Sequence, residues 1–168
     1  MSSNYRKHSN HCWNPCAFPI PEPPPKPGVL AYAFSEPVSR FTTPPPITVT
    51  TAETPITTVT INTPQNTLIE LRGLVGWNNT VPAAVNILVF WRIRRGIGGP
   101  IIWEGHDGIG LDTAELRGAI SSMLHVDNNP SLGPNTYQLT AQVDQLLSPG
   151  DIANITGPIV FTATAYSI

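Results

Sequence analysis

The chain has 168 residues, only 12% of them charged, and a formal net charge of −2 at pH 7. That length suits one domain with a sizeable core, and the near-neutral balance gives no electrostatic reason to bind nucleic acid or an anionic membrane. Charge at about half the usual ~25% leaves Thr, Asn, Gln and Ser to make the polar surface, which tolerates self-association better than a charged one.

Residues 1–14 are polar and carry no apolar signal-peptide core, and no run approaches the ~18 apolar residues of a membrane span. Synthesis in a cytoplasm without a secretory signal is therefore expected. Eleven of the nineteen prolines fall in residues 1–46. Proline fixes φ and has no N–H, so this stretch cannot be a helix or a central strand. It reads as an extended N-terminal arm, near polyproline II at ~3.1 Å per residue. Since proline donates no hydrogen bond, docking of the arm must come from its other residues: Trp13, Phe18 and Ile20, and the island VLAYAF with Val29, Leu30, Tyr32 and Phe34. That island is expected as an edge strand, either of its own domain or added to another subunit.

His8, His11, Cys12 and Cys16 have zinc-ligand chemistry, but the spacing matches no zinc module, and one tight segment rarely supplies four tetrahedral ligands. The other readings are a plain tail, or a disulfide within the arm or between subunits once the protein reaches an oxidising exterior. No metal or cofactor is expected.

From Ile47 onward the pattern is β. ITVT (47–50) and ITTVTI (56–61) are β-branched runs. Residues 67–95 hold two long alternating runs. Ile69, Leu71, Gly73, Val75 and Trp77 share one face, opposite Leu68, Glu70, Arg72 and Leu74. Val85, Ile87, Val89, Trp91 and Ile93 share another, opposite Asn86, Leu88, Phe90, Arg92 and Arg94. The Trp-bearing faces are expected to form the middle of a core, joined by a loop at residues 78–82. Leu88 and Phe90, with Arg92 and Arg94, then lie outward and predict a subunit contact.

Gly96, Gly98, Gly99 and Pro100 predict a turn, residues 101–105 a strand, and residues 106–112 a Gly-rich loop. Residues 114–126 are ambiguous. Leu116, Ile120, Met123 and Leu124 fit a helical stripe, while Leu116, Gly118, Ile120, Ser122, Leu124 and Val126 fit strand alternation. Strand is preferred because all the neighbours are strands. Residues 127–135 form a turn-rich loop, Tyr137, Leu139, Ala141 and Val143 alternate along a strand, and 148–151 form a turn. The remaining stretch to Ile168 holds one or two strands, and a chain ending in a strand suggests that this one is central. The sum is an all-β jelly-roll β-sandwich of eight or nine strands over residues 47–168, with the Pro-rich arm before it.

Catalysis is not expected. Glu104, His106, Asp107, Asp112, His125 and Asp127 accompany no nucleophile elbow, and the cysteines lie far from them in sequence. Arg92, Arg94 and Arg95, with Arg72, could bind an anion or polysaccharide, or pair with Glu70, Glu104 or Asp107. GIGG (96–99) precedes no Gly-Lys-Ser/Thr and is no phosphate loop.

LRGLVGW (71–77), VNILVFWRIRRG (85–96), VDNNP with GPNTYQLTAQV (126–143) and the terminal TGPIVFTATAYSI resemble the small β-sandwich proteins of Bacillus-like spore surfaces. These are similar to the tumour-necrosis-factor-like jelly rolls of collagen-like exosporium glycoproteins and to endospore appendage subunits. The resemblance implies a structural subunit on the spore surface, exosporium or appendage, that forms homo-oligomers, as trimers, and fibres. It also implies an N-terminal connector that docks on the neighbouring subunit, and other spore-surface proteins such as the collagen-like glycoproteins as partners. The chain departs from the appendage layout in lacking a Cys-Cys doublet and any core cysteine, so cross-linking through Cys12 and Cys16 between arms is the covalent option. It has no Gly-X-Y tract. The alternative reading is a receptor- or carbohydrate-binding tip domain of a surface or phage fibre.

Overall fold

Alternation with a period of two becomes nine strands and no helix in the computed structural model, which describes residues 28–38, 46–79, 87–110, 118–144 and 152–167. The strands are β1 (Val29–Val38), β2 (Ile47–Val49), β3 (Thr54–Thr63), β4 (Thr67–Asn79), β5 (Ile87–Arg95), β6 (Ile101–Ile109), β7 (Gly118–Asp127), β8 (Gly133–Val143) and β9 (Ala153–Ser167). They form two antiparallel sheets. One has the order β1-β9-β4-β7, with β2 also pairing β9; the other has the order β3-β8-β5-β6. Among these strands only β5 and β6 are consecutive and paired. Every other step from β2 onward crosses between sheets, the winding of a jelly-roll-like β-sandwich.

The core lies between the sheets. Trp77 on β4 and Trp91 on β5 meet edge to face across it, with ring centroids 6.2 Å apart. Around them pack Ile69, Leu71, Val75, Val89, Ile93, Leu139, Ile159 and Phe161, all buried. The expected core faces of both long strands point inward as their alternation requires. The final stretch is one strand, β9, lying between β4 and β1/β2. Gly76 on β4 exists for close approach: a Cβ there would lie 2.0 Å from the Gly157 carbonyl oxygen of β9.

Two expectations change, and two open readings are decided. Residues 106–109 are not loop: β6 runs to Ile109 and pairs with β5 through His106–Phe90 and Gly108–Leu88. Glycine here serves packing, since the Trp103 ring lies over Gly105, where a Cβ would be 2.7 Å from it. Asn78 and Asn79 belong to β4, not to a connection. Residues 118–127 are strand, while Leu116 lies outside the described residues. The island at 29–34 joins its own sheet: β1 pairs along β9, from Val29–Tyr166 to Val38–Ile159. The sheet thus draws a ten-residue strand from the N-terminal side of Pro46.

The predicted turn at residues 96–100 is present, with Arg95 N–H bonded to the Pro100 carbonyl at 3.0 Å. Gly96 and Gly98 have φ of +83° and +67°, a region in which side-chain-bearing residues are strained.

Trp77→Ala and Trp91→Ala should each lose about 3–5 kcal/mol in chemical denaturation, because each leaves a cavity at the centre of the core. A chain beginning at Ile47 lacks β1 and leaves one edge of β9 unpaired beside Ala163 and Ala165. It should melt below the full chain, whereas a chain lacking only residues 1–27 should melt with it.

Candidate functional site

Two edge strands of the five-stranded sheet, β1 and β7, put most of their large apolar residues outward. A half-buried strand usually turns its large apolar residues inward. In β7 the inward positions hold Ser121, Met123 and Asp127, at 2, 4 and 3% exposure; the outward ones hold Ile120, Leu124 and Val126, at 55, 58 and 44%. In β1 the inward residues are Ala31, Ala33 and Ser35, and the outward ones Leu30, Tyr32 and Phe34. Tyr32 and Phe34 stack at 6.1 Å and are more than half exposed.

Polar bonds explain why β7 accepts this inversion. The Trp77 indole N–H donates to Ser121 Oγ at 2.8 Å, and Ser121 donates to Asp107 Oδ2 on β6 at 2.8 Å. Arg95 grips the buried Asp127 through Nε and Nη2, and the Tyr137 hydroxyl donates to the same carboxylate at 2.8 Å. Burial, then this hydrogen bond, push the Tyr137 hydroxyl far above its usual pKa. Burial lowers that of His125, against the pull of Asp127. Ser121 and Asp127 both have hydrogen-bond partners, so these polar groups are compatible with the core.

On the outward face, transverse rows follow from the register. Phe34, Thr162, Arg72 and Leu124 form one row, and Tyr32, Thr164, Glu70 and Val126 the next. Two apolar flanks therefore enclose a central pair, with Arg72 Nε bonded to Glu70 Oε1 at 2.7 Å. That bond raises the Arg72 pKa. Beside the pair runs a groove of about 480 Å³ lined by Arg72, Leu74, Ser122, Leu124, Val160 and Thr162. Leu30, Tyr32 and Phe34 on one flank and Ile120, Leu124 and Val126 on the other are all between 44 and 63% exposed.

The residues expected at a subunit contact lie on the four-stranded sheet. Leu88, Phe90, Arg92 and Arg94 all point outward from β5, but each is half-buried. Phe90 has His106 edge-on at 6.1 Å and the Arg92 guanidinium 5.7 Å from its centroid. Arg92 pairs with Glu104 and Gln142, and Arg94 holds both oxygens of Glu53, at 2.7 and 2.6 Å. The Thr140 hydroxyl donates to Glu53 as well. Of the acids expected to pair with these arginines, Glu104 takes Arg92 and Glu70 takes Arg72, whereas Asp107 turns inward to Ser121, and Arg94 and Arg95 pair instead with Glu53 and Asp127. Glu53 has no sequence signature, because its partners lie 39 to 87 residues away. His8, His11, Cys12, Trp13, Cys16, Phe18, Ile20 and Asp112 lie outside the described residues.

No protein-family model matches the chain, and no curated protein matches it in sequence.

The Arg94 hydrogen bond is the main cause lowering the Glu53 pKa from 4.5 to about 2. A depressed carboxylate pKa stabilises the fold above the unfolded value, and the gain is lost as pH falls through the folded one. Glu53→Gln should therefore melt below the unchanged protein above pH 4.5, and the gap should close as pH falls to about 2.

Proposed function

We propose that the chain is a structural subunit that self-associates through the outward face of its five-stranded sheet, as a trimer. Its Pro-rich arm joins one assembly to the next in a fibre or appendage of a spore surface. The observation that carries the self-association is the inversion of β1 and β7, which puts large apolar residues on both flanks of one face. A protein gains nothing from exposing these side chains to water, and covering them removes apolar surface at about 25 cal/mol per Å².

A second copy suits this face for two reasons. The face presents an aromatic ridge at β1 and a groove between β9, β4 and β7, so ridge and groove lie at separate places on one surface. A ridge fitting the neighbour's groove is a heterologous contact, which closes into a ring when the rotation permits. Its charges are also already neutralised in the Glu70–Arg72 pair, so like copies meet without repulsion. The spore-surface setting rests on the sequence resemblance alone, and the low charge supports a packed assembly.

Sedimentation velocity tests the face. The full chain should sediment as a discrete oligomer at micromolar concentration, and Ile120→Asp with Leu124→Asp should give folded monomers. Phe90→Ser, on the opposite sheet, should leave the oligomer intact. Loss of the oligomer in Phe90→Ser alone would move the contact to the four-stranded sheet. Electron microscopy tests the arm: deletion of residues 1–27 should leave oligomers without fibres. Cys12→Ser with Cys16→Ser should lower the heat and detergent resistance of fibres without preventing their assembly.

A further inference from the structure

One end of the sandwich carries a second concavity, separate from the apolar face. It is a cleft of about 320 Å³ between the β3–β4 and β7–β8 connections. Gln65 and Asn66 line one wall; Asn128, Asn129, Pro130 and Leu132 line the other. None of the lining side chains is ionisable. Four are carboxamides, each offering two donors and an acceptor.

The walls are held before any ligand arrives. Thr67 Oγ1 donates to the Pro64 carbonyl at 2.9 Å and turns that connection back on itself. Asn66 sits at φ +54°, the only side-chain-bearing residue with positive φ among the described residues. Asparagine adopts this region more readily than most residues, though at some strain. Across the cleft, Asp127 Oδ1 accepts from Asn129 N–H at 3.1 Å. Asn135 fixes Ser131 from both sides, donating to its carbonyl and accepting from its N–H, and also donates to Thr63 at 2.8 Å. Beneath lies the Arg95–Asp127–Tyr137 cluster, whose charge is internally paired. Leu132 remains 67% exposed at the rim.

We infer that this cleft binds a neutral saccharide unit. A phosphate, sulfate or carboxylate ligand would lose its hydration with no cationic partner in the wall. Vicinal hydroxyls donate and accept at once, as carboxamides do, so they can satisfy both ends of Asn66, Asn128 and Asn129. Pro130 and Leu132 offer apolar contact to the C–H face of a sugar ring. The cleft volume lies at the low end for small-ligand sites and suits a ring or two, not a folded partner. The nearby root of the arm makes its Pro-rich segment a competitor: Gly28 bonds to Ser167, and Ser167 pairs with Thr67. Six of residues 19–28 are proline and have no N–H, so such a segment offers the carboxamide oxygens few donors.

Saturation-transfer difference NMR on the full chain tests this, whatever its oligomeric state. The probes are methyl glycosides of glucose, galactose, mannose and N-acetylglucosamine. Glucose 6-phosphate, sialic acid and a peptide of residues 19–28 serve as comparators. At least one neutral glycoside should give a saturable signal, and the charged sugars should bind more weakly. Asn128→Ala with Asn129→Ala should weaken binding about tenfold, the loss of one or two hydrogen bonds. Asn66→Gly should do the same while keeping the fold, because glycine accepts its φ and removes only the amide. The assignment is overturned if no neutral glycoside binds, if these variants bind unchanged, or if charged sugars bind better. Displacement of a glycoside by the peptide, or binding of the peptide alone, would also overturn it and give the cleft to the arm.

Discussion

Two indole rings set the spacing of the sandwich. Trp77 and Trp91 occupy the middle of the gap between the sheets, and the indole N–H of Trp77 has to find an acceptor in a dry place. The Ser121 hydroxyl meets that need and passes the bond on to Asp107 across the two sheets' edges. With Ser121 and Asp127 facing the core beside Met123, the strand's parity leaves Ile120, Leu124 and Val126 on the outside. The same holds at the other edge. Ala31 and Ala33 pair with Ala165 and Ala163 on the inward side, and parity turns Tyr32 and Phe34 outward.

The consequence is a molecule with two unlike faces. The four-stranded sheet presents paired charges: Glu53 gathers Arg92, Arg94 and Thr140. The five-stranded sheet presents apolar flanks around one ion pair. An arginine-rich strand looks in sequence like the reactive side of the domain, yet here its guanidinium groups are occupied and the less conspicuous face is bare.

Much of the fold was legible in the sequence. The long runs around Trp77 and Trp91, the Gly96 turn and the strand at Tyr137 obey period two, and pairing preserves it. Parity, however, says only which residues share a face. It does not say which face points inward. In residues 118–127 the apolar set was visible as an alternation, but its outward direction follows from bonds made by Ser121 and Asp127 to β4, β5 and β6. Composition misled at residues 106–109 as well, where glycine was read as a loop former. Gly105 sits in β6 because the Trp103 ring leaves no room for a Cβ, and at Gly108 the Ile87 carbonyl makes the fit tight. The carboxamide cleft depended on bringing residues 64–67 beside residues 128–132, a juxtaposition that neither segment encodes alone.

The root of the arm has a mechanical meaning. Gly28 and Ser167 exchange backbone and hydroxyl bonds, and from there β1 runs antiparallel along β9 as far as Val38. Tension applied through the residues before Gly28, along the strand axis, loads the β1–β9 ladder in shear. Its hydrogen bonds then resist together instead of opening one after another, as they would if β1 were peeled from its end. A link rooted this way holds by the length of a strand, and the aromatic pair on that strand adds packing to the same seam if a neighbour covers it.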